Sequence, residues 1–286
     1  MKLLITGAYG QLGNEMRVAL QRYPQFEPLF TDVDTLDICD LDAVRAMVAQ
    51  VKADVIVNCA AYTNVDKAET DSECADRINH LAVNNLAVAA CEADATLIHI
   101  STDYVFPGTS STPYNEDCPT QPLGVYGATK LAGELAVKAS GCKYIIIRTA
   151  WLYSVYGNNF VKTMRRLTAE RPTLNVVFDQ VGTPTYAGDL ADVIATIIND
   201  KKLCHTGVYH FSNEGVCSWY DFAVAIASLS GNDCLIKPIR SEDYPTAAAR
   251  PHFSVLDKAK IRNTFGVTIP HWYASLVKCI NQLDRK

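Results

Sequence analysis

The sequence lacks any long uninterrupted apolar segment. No stretch approaches the roughly 18 residues that a membrane-spanning helix requires. The apolar run at the N-terminus already ends at Thr6 and Gly7, which is too short for the core of a signal peptide. These absences predict a protein with no membrane partner and favour a cytoplasmic location.

Paired cysteines and cysteine–histidine clusters are also missing. The chain has 10 cysteines, but no two form a C-x-x-C motif and none lies at metal-ligand spacing from a histidine. This pattern indicates scattered, mostly buried thiols in a reducing compartment. No metal site is predicted from it.

Positive charge is sparse. The 26 lysines and arginines against 31 acidic residues give a net charge of −5, and no basic stripe is present. This argues against a nucleic-acid partner, although a few local cations would suffice to bind an anionic substrate. The 49% of hydrophobic and 20% of charged residues also exclude intrinsic disorder and fibrous repeats.

Short apolar runs alternate with longer helical patterns over the first half of the chain. This alternation predicts right-handed βαβ units and a doubly wound parallel sheet, a Rossmann-like α/β fold. The predicted strands are Lys2–Thr6, Phe26–Thr31, Asp54–Asn58, Thr96–Ser101 and Lys143–Arg148. The predicted helices are Gly13–Gln21, Leu41–Val51, Cys74–Ala93 and Tyr126–Ala139.

The rhythm changes after residue 150, and 286 residues leave room for about two domains. We predict a first domain over residues 1–150 and a smaller C-terminal domain over 151–286, with 174–200 returning to the first. The elements predicted beyond residue 150 are helices Asn159–Ala169, Ala187–Asn199 and Tyr220–Leu229, and strands Leu174–Phe178 and Tyr209–Phe211. The last 55 residues are predicted to hold most of the irregular chain, including Ser241–Pro251.

A glycine-rich segment follows the first predicted strand directly. Gly7, Gly10 and Gly13 recur every third residue and lead into the first predicted helix. Glycine permits a tight strand-to-helix turn and a close approach of the backbone to a pyrophosphate, which the free N–H groups of a helix N-terminus bind. The position therefore favours a dinucleotide-binding loop, although three glycines can also make an ordinary turn.

Acidic residues follow the second predicted strand. Asp32 lies 19 residues after Gly13, where a carboxylate commonly accepts hydrogen bonds from an adenosine ribose. No lysine or arginine is adjacent to meet a 2′-phosphate, so this position favours NADH over NADPH; a turn cap is the alternative. Asp37 and Ile38 are candidates for covering the adenine.

Tyr126 and Lys130 are four residues apart, which puts a phenol and an ammonium on one face of a predicted helix. A nearby ammonium helps a tyrosine to act as an acid–base catalyst at neutral pH, because it stabilises the phenolate. The Ser101-Thr102-Asp103 segment ends the fourth predicted strand, and the carboxyl ends of parallel strands are where α/β sheets bind ligands.

Together these segments resemble the extended short-chain dehydrogenase/reductase superfamily and, within it, the family of dTDP-4-dehydrorhamnose reductases. The stretches that carry the resemblance run in the same order over nearly the whole chain. They are GAYGQLG (7–13), NCAAYTNVDKAE (58–69), STDYVF (101–106), YGATK (126–130), RTAWLY (148–153), GNNF (157–160), FDQVGTPT (178–185) and RPHFSVL (250–256).

The resemblance implies an activity and the residues for it. The activity is the NAD(P)H-dependent reduction of the C4 ketone of dTDP-4-dehydro-L-rhamnose to dTDP-L-rhamnose, the last step of dTDP-rhamnose biosynthesis. Tyr126 would donate the proton, Lys130 would bind the nicotinamide ribose and lower the tyrosine pKa, and Thr102 would bind the substrate oxygen.

Further residues are assigned by the resemblance alone. Gly10, Gln11 and Leu12 would contact the pyrophosphate, and Ala61, Tyr62 and Thr63 would line the cofactor. Asp103 and Trp151 would contact the deoxy-sugar, and Arg250 would pair with the substrate diphosphate. Two of these have simpler alternatives, a turn cap for Asp103 and core packing for Trp151.

The chain departs from the family pattern at a few positions. Phe253 stands where an asparagine is usual, and Gly188 stands where some members have a carboxylate that, with the position of Glu15, holds Mg²⁺. No metal is therefore predicted, and Glu15 is interpreted as a first-turn acid of the first helix.

Other functions on the same fold stay open at this point. A sugar-nucleotide dehydratase would need an acidic residue at position 104, where this chain has Tyr104. An epimerase would keep its cofactor bound through the reaction. A non-catalytic regulatory subunit would not need Thr102, Tyr126 and Lys130. Helices of this superfamily often form homodimers, which is a further expectation.

Overall fold

A computed structural model describes residues 1–285 of the chain. Within that range, six parallel strands form the central sheet in the order β2-β1-β3-β4-β5-β10. The strands along the chain are β1 Lys2–Thr6, β2 Glu27–Phe30, β3 Val55–Asn58, β4 Thr96–Thr102, β5 Lys143–Thr149, β6 Leu152–Tyr153, β7 Thr173–Val177, β8 Val181–Gly182, β9 Thr185–Tyr186, β10 Gly207–His210, β11 Cys217–Ser218 and β12 Leu235–Ile239.

Helices connect these strands. They are α1 Gln11–Leu20, α2 Leu41–Val51, α3 Val65–Ala68, α4 Ser72–Asp76, α5 Ala82–Glu92, α6 Val125–Ala139, α7 Phe160–Glu170, α8 Ala187–Asn199, α9 Trp219–Leu229, α10 Ala259–Phe265 and α11 Trp272–Leu283. A π-helical turn covers Arg77–Leu81, and short 3₁₀ turns cover Asp103–Val105 and Ser241–Asp243. No helix of residues 1–285 is long and apolar enough to cross a membrane.

Apolar side chains alternate between the two faces of the sheet. Leu3 and Ile5 of β1 belong to a buried cluster with α1 and α8, whereas Leu4 belongs to a second cluster with α2 and α5. Successive residues of a strand point to opposite faces, so a fully apolar strand needs helices on both sides. The predicted doubly wound α/β fold is confirmed.

The strand order reverses between β1 and β3. Strand β2 pairs with one edge of β1, and the chain then returns to place β3 along the other edge of β1. The crevice beyond the carboxyl ends of the strands at such a point is where open α/β sheets bind ligands. The glycine segment follows β1 at this crevice.

The elements after residue 150 divide between two places. Helix α8 packs on α1 and β10 joins the central sheet beside β5, whereas β7 pairs with β12 in a separate two-stranded sheet. A third apolar cluster, which includes Tyr153, Met164 and Phe222, gathers α7, α9 and α11 near that small sheet. Of the segment 174–200, the helix thus lies against the central sheet and the strand does not.

One prediction about a helix is wrong. The segment Cys74–Ala93 is not one regular helix, because the π turn Arg77–Leu81 interrupts it; a turn of this kind accommodates an extra residue and is common at functional sites. Three regular elements of the last 55 residues, β12, α10 and α11, were not predicted.

Candidate active site

Three adjoining cavities lie beyond the carboxyl ends of the central strands. The central cleft, of about 530 Å³, contains Gln11, Thr102, Asp103, Tyr126, Lys130 and Trp151 in its wall. The β2-side cleft, of about 330 Å³, shares Gly10 and Ala61 with the central one. The Arg250 cavity, of about 360 Å³, shares Tyr104 and Trp219 with it. The arrangement can hold one ligand across the first two cavities and a second across the first and third.

The glycine segment forms a cradle at the junction of the first two cavities. Gly7 has φ +66°, and a Cβ there would lie 2.5 Å from the backbone nitrogen of Ala60. A Cβ on Gly13 would lie 2.3 Å from the carbonyl oxygen of Gly7. Helix α1 begins at Gln11 immediately after Gly10, so its first N–H groups lie beside the cleft. This geometry fits a pyrophosphate bound at a helix N-terminus.

Asp32 lines the β2-side cleft together with Asp37 and Ile38. Its Oδ2 accepts a hydrogen bond from the Tyr9 N–H at 2.8 Å, and its Oδ1 accepts one from the Val33 N–H at 2.9 Å. The carboxylate therefore caps the turn after β2, which was the alternative to a ribose-binding role. Each carboxylate oxygen has a second lone pair, so the same group can also accept a ribose hydroxyl.

The segment after β3 is held by a residue that the sequence did not single out. Ala61 and Thr63 line the central cleft, whereas Tyr62 lines neither cleft in residues 1–285. The buried side chain of Asn79, in the π turn, accepts from the Tyr62 N–H at 2.9 Å and donates to the Tyr62 carbonyl at 3.1 Å. Asn79 also donates to Thr129 Oγ1 at 3.3 Å. It thereby joins this segment to helix α6.

Tyr126 and Lys130 lie on one face of α6, as the spacing predicted. Burial raises the pKa of Tyr126 to about 12, and the neighbouring hydroxyl of Thr102 opposes the shift. The phenol is therefore protonated at neutral pH, which is the form that a proton donor needs. Burial also lowers the pKa of Lys130 to about 8, against the opposing effect of Glu134. Its Nζ donates to the carbonyl of Ile100 at 2.6 Å.

Thr102 and Asp103 end β4 beside the tyrosine. Thr102 Oγ1 donates to Asp103 Oδ1 at 3.0 Å and accepts from the Tyr104 N–H at 3.2 Å. Asp103 is 1% exposed, and its Oδ2 has no hydrogen-bond partner within residues 1–285. Burial raises the pKa of Asp103 to about 6. A buried acceptor without a partner in the wall of a cleft is suited to bind a ligand hydroxyl.

Trp151 forms part of the opposite wall of the central cleft. Its backbone has φ +48°, and its ring stacks on that of Trp219 with centroids 3.6 Å apart. Gly182 leaves the room for this ring, because a Cβ there would lie 2.8 Å from Trp151 Cε2. The side chain is thus both packed and in the wall of the cleft. Trp219 was missed by the sequence analysis, although the capping box of Ser218 and Asp221 marks the start of its helix.

Arg250 lies in the wall of the Arg250 cavity, and its guanidinium forms an ion pair with Asp66. Its Nη1 and Nη2 donate to Asp66 Oδ1 at 3.1 Å and Oδ2 at 2.7 Å. The Arg250 guanidinium holds the pKa of Asp66 below its ordinary range. Asp66 Oδ1 also accepts from the Ala248 N–H at 3.1 Å. The pair joins the short helix α3 to the loop that carries Arg250.

Glu15 differs from its sequence interpretation. It lies in the second turn of α1, is 5% exposed and accepts from Ser154 Oγ at 2.7 Å. Burial raises its pKa. It is therefore not a first-turn acid that complements the helix dipole, but a buried acid that contacts the segment after β6.

Comparisons with known proteins agree with this geometry. The family described as the RmlD substrate binding domain matches residues 1–285. A dTDP-4-dehydrorhamnose reductase from Aggregatibacter actinomycetemcomitans is 43% identical over 96% of this chain and 97% of its own. The crystal structure of a dTDP-4-dehydrorhamnose reductase from Clostridium acetobutylicum superposes with a TM-score of 0.95 at 45% identity, covering 99% of this chain and 100% of that one.

A second crystal structure extends the comparison. It is that of a Bacillus anthracis dTDP-4-dehydrorhamnose reductase in complex with NADP, with a TM-score of 0.92, 39% identity and coverage of 98% of this chain and 99% of that one. The family resemblance stated from the sequence motifs is confirmed: the chain belongs to the RmlD substrate binding domain family.

Proposed function

We propose that this chain reduces the C4 ketone of dTDP-4-dehydro-L-rhamnose to dTDP-L-rhamnose with NADH or NADPH. The observation that carries the proposal is the central cleft. It brings Thr102, Tyr126 and Lys130 together and connects to a glycine cradle on one side and to Arg250 on the other. Full-length relatives named as this reductase, at about 40% identity, support the same activity.

The nicotinamide cofactor supplies the hydride when it is bound. The residues of the cradle would hold its pyrophosphate, Asp32 its adenosine ribose, and Asp37 and Ile38 its adenine. Ala61 and Thr63 would line it, with Tyr62 acting through its backbone. Lys130 would hold the nicotinamide ribose.

The protein supplies the proton. Tyr126 donates its phenolic proton to the carbonyl oxygen at C4 as the carbon becomes tetrahedral. The hydroxyl of Thr102 turns its one proton from Asp103 Oδ1 to the same oxygen when substrate binds. The ammonium of Lys130 stabilises the phenolate that is left. Asp103 Oδ2 and the Trp151 ring orient the sugar, and the guanidinium of Arg250 binds the diphosphate.

This assignment also divides the chain by role. We propose that residues 1–150 bind the dinucleotide, assisted by α8 and β10, and that 151–286 mainly bind the sugar nucleotide. A homodimer and a cytoplasmic location stay predictions. Light scattering of the purified chain tests the former.

One assay tests the activity. Oxidation of NADPH and of NADH is followed with freshly generated dTDP-4-dehydro-6-deoxy-L-hexose, and the product is identified by its sugar configuration. Absence of oxidation with both cofactors would exclude the reductase. Protein purified without added cofactor distinguishes the epimerase, because stoichiometric bound nicotinamide is expected of an epimerase and not of a reductase that exchanges it.

A further inference from the structure

A buried row of polar side chains crosses the sheet at the floor of the central cleft, which Ser101 also lines. Ser101 of β4, Arg148 of β5 and His210 of β10 are direct neighbours in the strand register. They are 3%, 2% and 0% exposed, respectively. Thr102 and Thr149, the next residue pair along β4 and β5, line the cleft. The row therefore supports the catalytic strand ends from beneath.

Glu134 of α6 closes onto this row. It is completely buried, and its Oε1 accepts from Ser101 Oγ at 2.6 Å and from Arg148 Nε at 2.8 Å. Its Oε2 accepts from Arg148 Nη2 at 2.7 Å. One carboxylate thus ties helix α6 to two adjacent strands through three charge-assisted hydrogen bonds.

The position of Glu134 on its helix gives these contacts a consequence for catalysis. It lies four residues after Lys130 and eight after Tyr126, so all three share one face of α6. The residue it holds on β4, Ser101, directly precedes Thr102. The contacts of Glu134 oppose a tilt or rotation of α6 that would move the Tyr126 hydroxyl away from Thr102.

Charge gives a second consequence. Lys130 and Arg148 are both 2% exposed, and two buried cations need a counter-charge, because burial otherwise favours their neutral or exposed forms. Glu134 is the carboxylate that both share. Lys138, 3.7 Å from Glu134 Oε2, is a third and more exposed cation on it.

We propose that Glu134 is a positioning residue for the reduction: it fixes the Tyr126–Lys130 face of α6 against Thr102 and supplies the counter-charge that keeps the ammonium of Lys130 protonated in its buried site. This inference rests on the proposed function of Tyr126 and Lys130. It adds a third member, at the same four-residue spacing, to the pair that the sequence motif names.

The other titratable groups around Lys130 do not replace Glu134. Burial keeps the pKa of His99, on β4, well below its ordinary value, so this side chain is neutral at working pH. His210, on β10, has its pKa lowered to about 3 by burial and by Arg148, and it is also neutral. Tyr126 is protonated, and Arg148 adds a positive charge. Without Glu134, the pKa of Lys130 therefore falls below about 8.

The test compares pH profiles of a variant that removes both charges. Replacing Glu134 alone would leave Arg148 buried without a partner, whereas replacing a buried ion pair by neutral side chains of similar size is often tolerated. The variant is Glu134→Gln/Arg148→Met. Its matched control is Glu92→Gln/Arg45→Met, because that pair is also bidentate, at 2.9 and 2.6 Å, and lies on the surface.

The expected result is that kcat/KM falls at a lower pH on the alkaline side of its pH profile. In the Glu134→Gln/Arg148→Met variant, the fall of kcat/KM at high pH should begin up to about one pH unit lower than in the unsubstituted protein, because the counter-charge is lost while the loss of the Arg148 cation offsets only part of that effect. At pH 7, a Lys130 pKa that falls from about 8 to about 7 leaves about half of the ammonium protonated, so kcat should drop by about twofold, with a smaller change in KM for the sugar nucleotide. The single substitution Glu134→Asp keeps the carboxylate, so it should displace the fall of kcat/KM by less than the double variant does. The control variant Glu92→Gln/Arg45→Met should have the pH profile of the unsubstituted protein.

NADH binding gives a readout that needs no turnover. Fluorescence titration between pH 6 and 9 should show that, as pH rises, cofactor affinity begins to fall at a lower pH in the variant than in the unsubstituted protein, because deprotonation takes from Lys130 its charge and one of its three N–H donors. A uniform loss of kcat at all pH values, with the alkaline fall of kcat/KM and the NADH profile in place, would overturn the proposal and leave Glu134 a purely structural residue. Failure of the unsubstituted protein to reduce the sugar nucleotide would instead count against the proposed function.

Discussion

Arg250 and Asp66 provide a quantitative test of where the substrate diphosphate binds. Arg250→Ala removes the cation from the Arg250 cavity, whose position next to the central cleft fits a diphosphate linked to the reacting sugar. A charge-assisted hydrogen bond is worth about 1.5–3 kcal/mol. The substitution should therefore weaken dTDP binding by about 10- to 150-fold and leave NADH binding nearly unchanged.

The ion pair with Asp66 sets a smaller, separate effect. The side chains of Arg250 and Asp66 are 23% and 43% exposed, so solvent screens the pair and its worth is about 0–1 kcal/mol. A diphosphate competes with Asp66 for the same guanidinium. Asp66→Asn should therefore change dTDP affinity by no more than about fivefold.

Calorimetric titration with dTDP and with NADH separates the outcomes. Arg45→Ala serves as the control, since Arg45 forms a comparable bidentate pair with Glu92 on the surface. Equal losses for both ligands in Arg250→Ala would mean general destabilisation. An unchanged affinity for dTDP would place the diphosphate elsewhere, and a loss in Asp66→Asn as large as in Arg250→Ala would show that Asp66 is itself required.

Two more predictions concern the cofactor and the carboxyl group beside Tyr126. Asp32→Ala should raise the NADPH/NADH ratio of kcat/KM, because it removes the carboxylate that repels a 2′-phosphate; an unchanged ratio would leave Asp32 only its bonds to Tyr9 and Val33. Asp103 has a pKa raised to about 6 by burial, so folding favours its protonated form, and the stability this gives is present below about pH 4 and lost as pH rises through about 6. Asp103→Asn should remove up to roughly 3 kcal/mol of the change in unfolding free energy across that pH window. Unfolding free energies from denaturant titrations at several pH values check this, and the same dependence on pH in both proteins would contradict it.

The sheet and the glycine cradle could be predicted from the sequence because their signals are local. The strand Lys2–Thr6 and the helix Leu41–Val51 were predicted with the observed bounds. The first is a short apolar run that ends at a glycine, and the second has an apolar stripe with 3–4 spacing. The Tyr126–Lys130 spacing likewise translates directly into a shared helix face. Local pattern and tertiary packing agree at these positions.

The remaining features depend on partners far away in the sequence. The pairing of Arg250 with Asp66 spans 184 residues, and no property of either segment names the other. Trp151 adopts its φ of +48° because Trp219 and Gly182 provide the space and the stack for its ring. Helix α11 was missed because its apolar stripe lies beyond a segment rich in loops. The proposed positioning role of Glu134 could have been suspected, since it repeats the four-residue spacing of Tyr126 and Lys130.

Asn79 is the residue of this kind whose role can be tested most directly. The sequence predicts a regular helix across it, but Asn79 lies in the π turn. Its amide accepts from the Tyr62 N–H and donates to the Tyr62 carbonyl, as a neighbouring strand would do for a strand residue. Asn79→Ala should leave the Tyr62 N–H and carbonyl without these bonds, at a cost of about 1–3 kcal/mol for each group that water cannot reach. Because Ala61 and Thr63 flank Tyr62 in the cleft, KM for the cofactor should rise by about tenfold or more while kcat changes less. Asn232→Ala is the control, since the Asn232 amide makes two hydrogen bonds, to Arg165 and Thr168, away from the three cavities already described, whereas that of Asn79 makes three. If both variants lost stability alike and neither changed KM for the cofactor, Asn79 would hold the fold together without positioning the site.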